Sequence, residues 1–319
     1  MKIIVTGASG FIGKHLSAYL ADKGHQIIHL HRNSKQGDDC RWEPEVGFID
    51  TKCMEGADAL IHLAGEPLAN GRWTKSKKTR ITKSRESGTS LLVKALTHLT
   101  SPPSVFISAS AIGYYGHRGP HRVTEADPKG NGYLANVCAK WEAASVLPFS
   151  LGIRVVNPRL GLVIGNDGLL ARLLPLFKKG LGGKLGSGKQ YMSWISLEDT
   201  LEAFNHLLVS ESLKGPVNLV APKPVTNREF TWTLSRVLKI CAHFPAPAFA
   251  LKLAFGQMAR EMILSSTKAL PQKLEQSGFT FIHKNLESAL RAALTNKNIP
   301  GATPEIPESK EGMLQSQSS

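Results

Sequence analysis

Within thirteen residues the chain passes from a β-branched apolar run, Lys2–Thr6, through the loop Gly7-Ala8-Ser9-Gly10 into a helix-patterned segment that opens on Phe11-Ile12-Gly13. Few folds accept glycines at 7, 10 and 13 in that setting. The first allows the tight turn, the second lets backbone N–H groups approach a diphosphate without a Cβ in the way, and the third lets helix and strand pack closely. The helix head then offers unpaired amides and a partial positive charge to an anion. The spacing therefore predicts a dinucleotide cradle made by Gly7, Ser9, Gly10, Phe11, Ile12 and Gly13. A nucleoside-triphosphate loop is excluded, because Ala8 and His15 stand where it needs glycine and a hydroxyl residue. The stretch Gly183-Lys184-Leu185-Gly186-Ser187-Gly188-Lys189 fails the same test, with Gln190 in the hydroxyl position.

Strand and helix patterns alternate after the loop. Phe11, Ile12, His15, Leu16, Tyr19 and Leu20 recur at helical spacing up to Gly24, and apolar runs follow at Gln26–His31 and 59–64. A basic amphipathic helix is expected over 74–99, a strand at 104–108, later strands at 153–156 and 217–220, and a helix at 169–179. This rhythm predicts an α/β fold, a Rossmann-type doubly wound parallel sheet with a small, mostly helical C-terminal cap. The expected division is a nucleotide-binding domain over 1–240, a small domain over 241–292 and a flexible tail over 293–319.

Four scattered cysteines (Cys40, Cys53, Cys138, Cys241) form no CxxC pair, and reduced thiols in a cytoplasmic protein are the expected state. No apolar run has the length of a membrane span, so no membrane partner is expected. The formal net charge is +14. It is concentrated in part at Arg72, Lys75, Lys77, Lys78, Arg80, Lys83 and Arg85, which reads as a hydrated helix face or as attraction for an anionic ligand. No nucleic-acid-reading motif accompanies it, so no nucleic-acid partner is expected. No metal-ligand spacing is present.

The choice between dinucleotides turns on the end of the second strand pattern. Sites for NAD place a carboxylate about 20 residues beyond the glycines, for the ribose 2′-hydroxyl. Here Arg32 stands nineteen residues after Gly13, with Asn33 and Lys35 close by. That suits a 2′-phosphate and favours NADP(H).

Further marks join the glycine loop: His62-Leu63-Ala64-Gly65-Glu66-Pro67, Ser108-Ala109-Ser110 with Tyr114-Tyr115-Gly116, Arg72-Trp73, Ser84-Arg85, Trp141-Glu142, Trp194-Ile195, and Pro271, Leu274 and Gly278-Phe279. Together they resemble the extended short-chain dehydrogenase/reductases, in the atypical epimerase-like branch labelled nucleoside-diphosphate-sugar epimerase or cell division inhibitor. The resemblance spans roughly 1–292. It implies that His31 and Arg32 meet the adenosine ribose and its phosphate. Leu63, Ala64 and Gly65 would pass beneath the cofactor, Arg85 would reach the phosphates or the nicotinamide ribose, and Leu162 would lie near the nicotinamide. The resemblance also implies a homodimer.

The chemistry expected of such reductases is incomplete. A YxxxK pair places a lysine one helical turn after a tyrosine to lower its pKa. Anchored on Tyr133 the lysine position is Val137, and anchored on Glu142 the pair becomes Leu134 and Cys138. Ser110 stands where the family's serine does, so the candidate catalytic residues are Ser110, Tyr133 and Cys138. Two readings follow: an oxidoreductase or nucleotide-sugar epimerase with a rearranged proton donor and an unidentified small substrate, or a non-catalytic NADP(H) sensor.

Overall fold

The computed structural model describes residues 1–32, 40–147, 149–242 and 244–295. The first half comprises β1 (Lys2–Thr6), α1 (Phe11–Asp22), β2 (Gln26–His31), β3 (Cys40–Glu43), β4 (Phe48–Ile49), β5 (Ala59–His62), α2 (Lys75–Leu96) and β6 (Val105–Ser108). There follow β7 (Ser110–Ala111), β8 (Arg122–Val123), α3 (Tyr133–Ala144), β9 (Arg154–Leu160), β10 (Leu162–Ile164) and α4 (Ala171–Lys178). Next come β11 (Tyr191–Met192), β12 (Trp194–Ser196), α5 (Leu197–Val209), β13 (Gly215–Leu219), β14 (Val225–Thr226) and α6 (Asn227–Leu238). The C-terminal region adds α7 (Ala248–Phe255), β15 (Lys268–Ala269), α8 (Gln272–Gln276) and α9 (Leu286–Thr295).

The main sheet runs β13-β9-β6-β5-β1-β2-β3-β4, with β7 pairing alongside β9. All of it is parallel except the β3–β4 hairpin. Strand order therefore reverses between β1 and β5, and a doubly wound sheet takes its ligand in the crevice at the carboxyl ends there. Alternation along each strand feeds two cores. Ile3, Val5, Ile61 and Ile107 pack with Leu16 and Leu20 of α1 and Leu201, Phe204 and Leu208 of α5. Ile4, Leu60 and Phe106 face Leu92, Ala95 and Leu96 of α2 on the other side.

Several expectations need adjustment. The 74–99 helix is Lys75–Leu96, begun by Thr74, whose hydroxyl accepts from the Lys77 amide at 3.2 Å. Its basic face is not wholly hydrated: Lys77 and Arg85 are buried, and Lys77 pairs with Glu66 at 2.6 Å. The strand expected at 153–156 runs to Leu160, because pairing with β13, and with β7 at Arg159, carries Asn157, Pro158 and Arg159 into the sheet despite their polar or breaker character. The helix expected at 169–179 spans only Ala171–Lys178, preceded by a π-helical turn at Asn166–Leu170. Cys40 and Cys53 form a disulfide with Cα atoms 6.1 Å apart. This corrects the expectation of four reduced thiols: β3 returns the chain to the turn carrying Cys53, a proximity that sequence spacing does not reveal. Cys138 and Cys241 are free.

The C-terminal region is mostly helical and fastened to the main domain. Leu286, Ala289, Leu290 and Ala293 of α9 pack with Phe230 and Leu234 of α6 and Trp194 of β12. The buried Asp199 carboxylate accepts from the Ile282 and His283 amides at 2.6 and 3.1 Å. The tail beyond Thr295, together with Asn33 and Lys35, lies outside the described residues.

At Gly7 and Gly13 the packing around the turn after β1 leaves no room for a side chain. A Cβ on Gly13 would sit 2.2 Å from the Gly7 carbonyl oxygen. Gly13→Ala should therefore destabilise the protein by about 2–3 kcal/mol through overpacking. Urea unfolding checks this, and an unchanged midpoint would refute it.

Candidate functional site

At the crevice, Gly7 adopts φ +74°, and a Cβ there would stand 2.7 Å from the Ala64 amide nitrogen. The turn after β1 and the loop after β5 therefore touch backbone to backbone. Helix α1 begins at Gly10, which supplies no side-chain cap, and its first turn holds no acidic residue. The amides of Phe11, Ile12 and Gly13 thus head a helix whose dipole favours an anion. A diphosphate fits this cradle: bare backbone, close approach and no competing carboxylate. Ser9 is exposed on the same loop.

The remaining cofactor candidates ring this point. His31 ends β2 with its ring 5.4 Å from that of His29, and Arg32 follows, exposed. Leu63 and Ala64 leave β5, and the Ala64 amide donates to Thr6 Oγ1 at 3.4 Å. Gly65 lies against Arg85; a Cβ on it would be 3.1 Å from the guanidinium carbon. Arg85 donates to the Glu66 and Ile81 carbonyls at 3.0 and 3.2 Å and lies 4.9 Å over the Trp141 ring. It is a buried prop beneath the 63–66 loop, not a solvated helix charge. Leu162 opens β10 and is half-buried, its amide donating to the Ser193 carbonyl at 2.8 Å. Above α1, the Phe11 ring fills the space that Cβ atoms on Gly165 and Gly168 would take, and His15 pairs with Asp167 at 3.3 Å.

The catalytic candidates part company. Tyr133 opens α3 but donates to the Lys78 carbonyl at 2.8 Å, and its ring packs edge-on against Trp73. Lys140 pairs with Glu86 at 3.5 Å on an exposed face. Cys138 is buried, and burial, with the Glu142 charge adding to it, pushes its thiol up to about 12. It stays protonated near neutral pH, which is the state of a small buried hydrophobe rather than a nucleophile. Ser110 is buried at the start of β7, two residues past the end of β6, and its hydroxyl donates to Glu142 Oε1 at 2.7 Å.

That contact opens a network that sequence reasoning missed. Arg159 of β9 grips Glu142 of α3 with Nε to Oε1 and Nη2 to Oε2, both 2.8 Å. Its Nη1 donates to the Tyr115 hydroxyl at 2.9 Å, and its guanidinium lies 3.5 Å over the Tyr114 ring. Tyr115 donates onward to Asn218 Oδ1 at 2.7 Å, and the Asn218 amide donates to Glu125 Oε1 at 2.9 Å. Burial opposes the Arg159 charge, but Glu142 and Tyr115 outweigh it and hold the proton more firmly than usual. Burial also pushes the Tyr115 phenol up to about 12, against the pull of Arg159. A detectable signal did exist: one arginine inside the apolar run from Val155 to Ile164 must find a carboxylate if that run is buried.

A second polar interior lies between the sheet and helices α2 and α3. His62 Nδ1 meets Thr6 Oγ1 at 2.6 Å, while His62 Nε2, Thr89 Oγ1, Ser108 Oγ and Trp141 Nε1 are buried without a hydrogen-bond partner. Burial, aided by the Arg85 charge, lowers the His62 pKa to about 3. A cleft of about 460 Å³ lined by Met1, Ser104, Arg154, Leu208, Val209 and Glu211 opens at the amino ends of the strands, the opposite end from these groups. Among the described residues no group of three or more His, Cys, Asp or Glu is placed to hold a metal ion. No helix among them is long and apolar enough to cross a membrane.

A parallel sheet that reverses its order beside a glycine turn, with Ser110 just past the end of β6, defines a Rossmann-fold protein of the epimerase and reductase class. The chain belongs to the NAD dependent epimerase/dehydratase family, which matches residues 3–219, and residues 246–293 match a domain of unknown function, DUF1731. It is 38% identical over 295 residues to an epimerase family protein of Mycobacterium leprae, ML0860, covering 92% of this chain and 95% of that one. The crystal structure of human epimerase family protein SDR39U1 (isoform 2) with NADPH superposes with a TM-score of 0.86. Its identity is 31%, over 93% of this chain and all of that one. A nucleoside-diphosphate sugar epimerase from Corynebacterium glutamicum gives a TM-score of 0.75 at 31% identity, over 92% of this chain and 58% of that one.

His62 makes the fold acid-sensitive. In the unfolded chain it takes up a proton near its ordinary value of 6.5, whereas the folded protein resists protonation down to about 3. Stability from this residue is therefore complete above pH 6.5 and falls by up to about 5 kcal/mol as pH drops toward 3. Urea unfolding across that window should show a slope that flattens in His62→Gln; an equal slope in both proteins would refute the assignment.

Proposed function

We propose that this protein is an NADP(H)-dependent oxidoreductase acting on the hydroxyl or carbonyl carbon of a small, sugar-like substrate, with Ser110 and Glu142 handling the proton. The observation that carries this reading is the hydrogen bond from Ser110 to the buried Glu142 carboxylate. Backbone at Gly7, Ser9, Gly10, Phe11, Ile12 and Gly13 would hold the diphosphate, His31 and Arg32 the adenosine ribose and its 2′-phosphate, and Leu63, Ala64 and Gly65 the underside. Leu162 would border the nicotinamide, and Arg85 would support the 63–66 loop from beneath. The NADPH in the human relative's crystal structure supports the choice of cofactor, as does the missing carboxylate at Arg32. When bound, NADP(H) supplies or accepts a hydride.

The direction of the Ser110 hydrogen bond sets the chemistry. Its hydrogen is committed to Glu142, which leaves the oxygen's lone pairs to accept from a substrate hydroxyl. As that hydroxyl loses its proton to Ser110 Oγ, the serine's own proton passes to Glu142 Oε1, and Arg159 holds the carboxylate in line. The reverse transfer protonates a newly formed alkoxide. This helix–strand relay takes the place of the YxxxK pair.

A second reading, a non-catalytic NADP(H) sensor, is favoured by the burial of Ser110 and by the engagement of the Tyr133 hydroxyl with Lys78. Two measurements separate them. Calorimetry should show NADPH bound more tightly than NADH, with Arg32→Asp narrowing or reversing the preference; unchanged affinities in that variant would refute the role of Arg32. Turnover of NADPH should appear in panels of carbonyl compounds and nucleotide sugars. Ser110→Ala and Glu142→Gln should each lower kcat by about 100-fold or more while leaving NADPH affinity intact. Tight binding without turnover across the panel would establish the sensor instead.

A further inference from the structure

We infer that the face built by α7 and the neighbouring 176–184 segment docks on an anionic phospholipid surface. Among the described residues, the two most exposed large apolar side chains, Leu253 and Phe249, lie there. Phe249 is 73% exposed and Leu253 77%, and being four apart on α7 they share one side of the helix. Phe244, at 63%, precedes α7. Its amide donates to the Gly182 carbonyl at 3.3 Å, which brings it beside the exposed Leu181. The Leu181 amide in turn donates to the carbonyl of Leu176, also exposed. Helix α7 contributes no buried residue at all. A soluble helix that turns Phe and Leu outward along its length forgoes the core packing that stabilises other helices, so the patch marks an interaction surface.

Charge identifies the occupant. Residues 168–197 and 230–260 contain no Asp or Glu but nine Lys and Arg. Lys178 and Lys179 flank Leu176 and Leu181, Lys252 lies beside Leu253, and Arg260 follows α7. All four are exposed, and none makes an ion pair with another described residue. A second copy of the chain would bring these like charges together, on top of a net charge of +14. A bilayer rich in anionic headgroups accepts both features: the Phe and Leu side chains enter the headgroup–acyl boundary while the lysines meet phosphates. No helix among the described residues is long and apolar enough to cross a bilayer, but a helix lying in the interface needs no such length. This inference is independent of the proposed reaction, since it concerns a face apart from the Ser110–Glu142 network.

The test is sedimentation of the full-length protein with vesicles of equal parts phosphatidylglycerol and phosphatidylcholine, and with phosphatidylcholine alone. Binding is expected only to the anionic vesicles and should weaken as salt rises. Phe249→Asp with Leu253→Asp should lower the affinity about tenfold or more. Lys178→Glu with Lys179→Glu, which disturbs no packing, should do so independently. Thermal melts of both double variants should match the parent, since every altered side chain is exposed. Failure to bind the anionic vesicles, equal binding to neutral ones, or binding undiminished in the lysine variant would overturn the inference. So would a dimer seen by light scattering that Phe249→Asp with Leu253→Asp dissociates in protein that ignores vesicles.

Discussion

Backbone contact at the switch point is the constraint on which the rest of the molecule depends. The Gly7 turn presses on the Leu63–Ala64 peptide, and Gly13 of α1 presses on the Gly7 carbonyl, each too closely for any Cβ. This brings the amide-bearing end of α1 to the carboxyl ends of β1 and β5, where the sheet changes direction. Side chains could not set this geometry as tightly, because each would add volume between elements that must touch. Thr6 then ties the floor together, accepting from the Ala64 amide and bonding to the His62 ring. The neutrality of His62 follows from the same closeness: the ring is sealed under the loop, with Arg85 nearby to repel a second positive charge.

Residues whose role is backbone conformation or strand alternation were legible before any coordinates. Gly7, Gly10 and Gly13 announce the turn, Ile3, Ile4 and Val5 the buried strand, and Arg32 the end of β2 that lacks a carboxylate. What could not be read are contacts between elements far apart in the chain. Arg159 and Glu142 lie on different elements with a turn between them, and Tyr115 and Asn218 are 103 residues apart. No local period marks such pairs. The disulfide between Cys40 and Cys53 spans only 13 residues, but no motif spacing marks the pair. Strand ends were misjudged where buried pairing overrode composition, as in Asn157-Pro158-Arg159, because tertiary burial outweighs local propensity.

The Arg159–Glu142 pair also illustrates why such a site needs several partners. Taking two charges out of water costs several kcal/mol per ion unless geometry and further hydrogen bonds compensate. Here the fork is bidentate, Ser110 occupies one carboxylate oxygen, and Tyr115 and the Tyr114 face engage the remainder of the guanidinium. The usual reductase pair holds its two residues on one helix, four apart. This chain instead bonds helix α3 to strand β9, so the position of the Ser110 hydroxyl depends on how α3 is seated against the sheet.

That dependence gives the C-terminal module a structural role at the site. Helix α3 begins after Gly132, which has no side chain to cap it, and the cap comes from the module: Glu261 Oε2 accepts from the Leu134 amide at 2.8 Å. A carboxylate at that end also complements the helix dipole. Gln257 holds Glu261 Oε1 at 2.7 Å and receives Lys78 of α2 at 3.1 Å, so the same turn clamps both helices that enclose the polar interior. At the other end of the module, Asp199 secures the 282–283 amides to α5. Fixed at both ends, the module braces the first turn of α3, the helix that carries Glu142 and with it the hydrogen bond from Ser110.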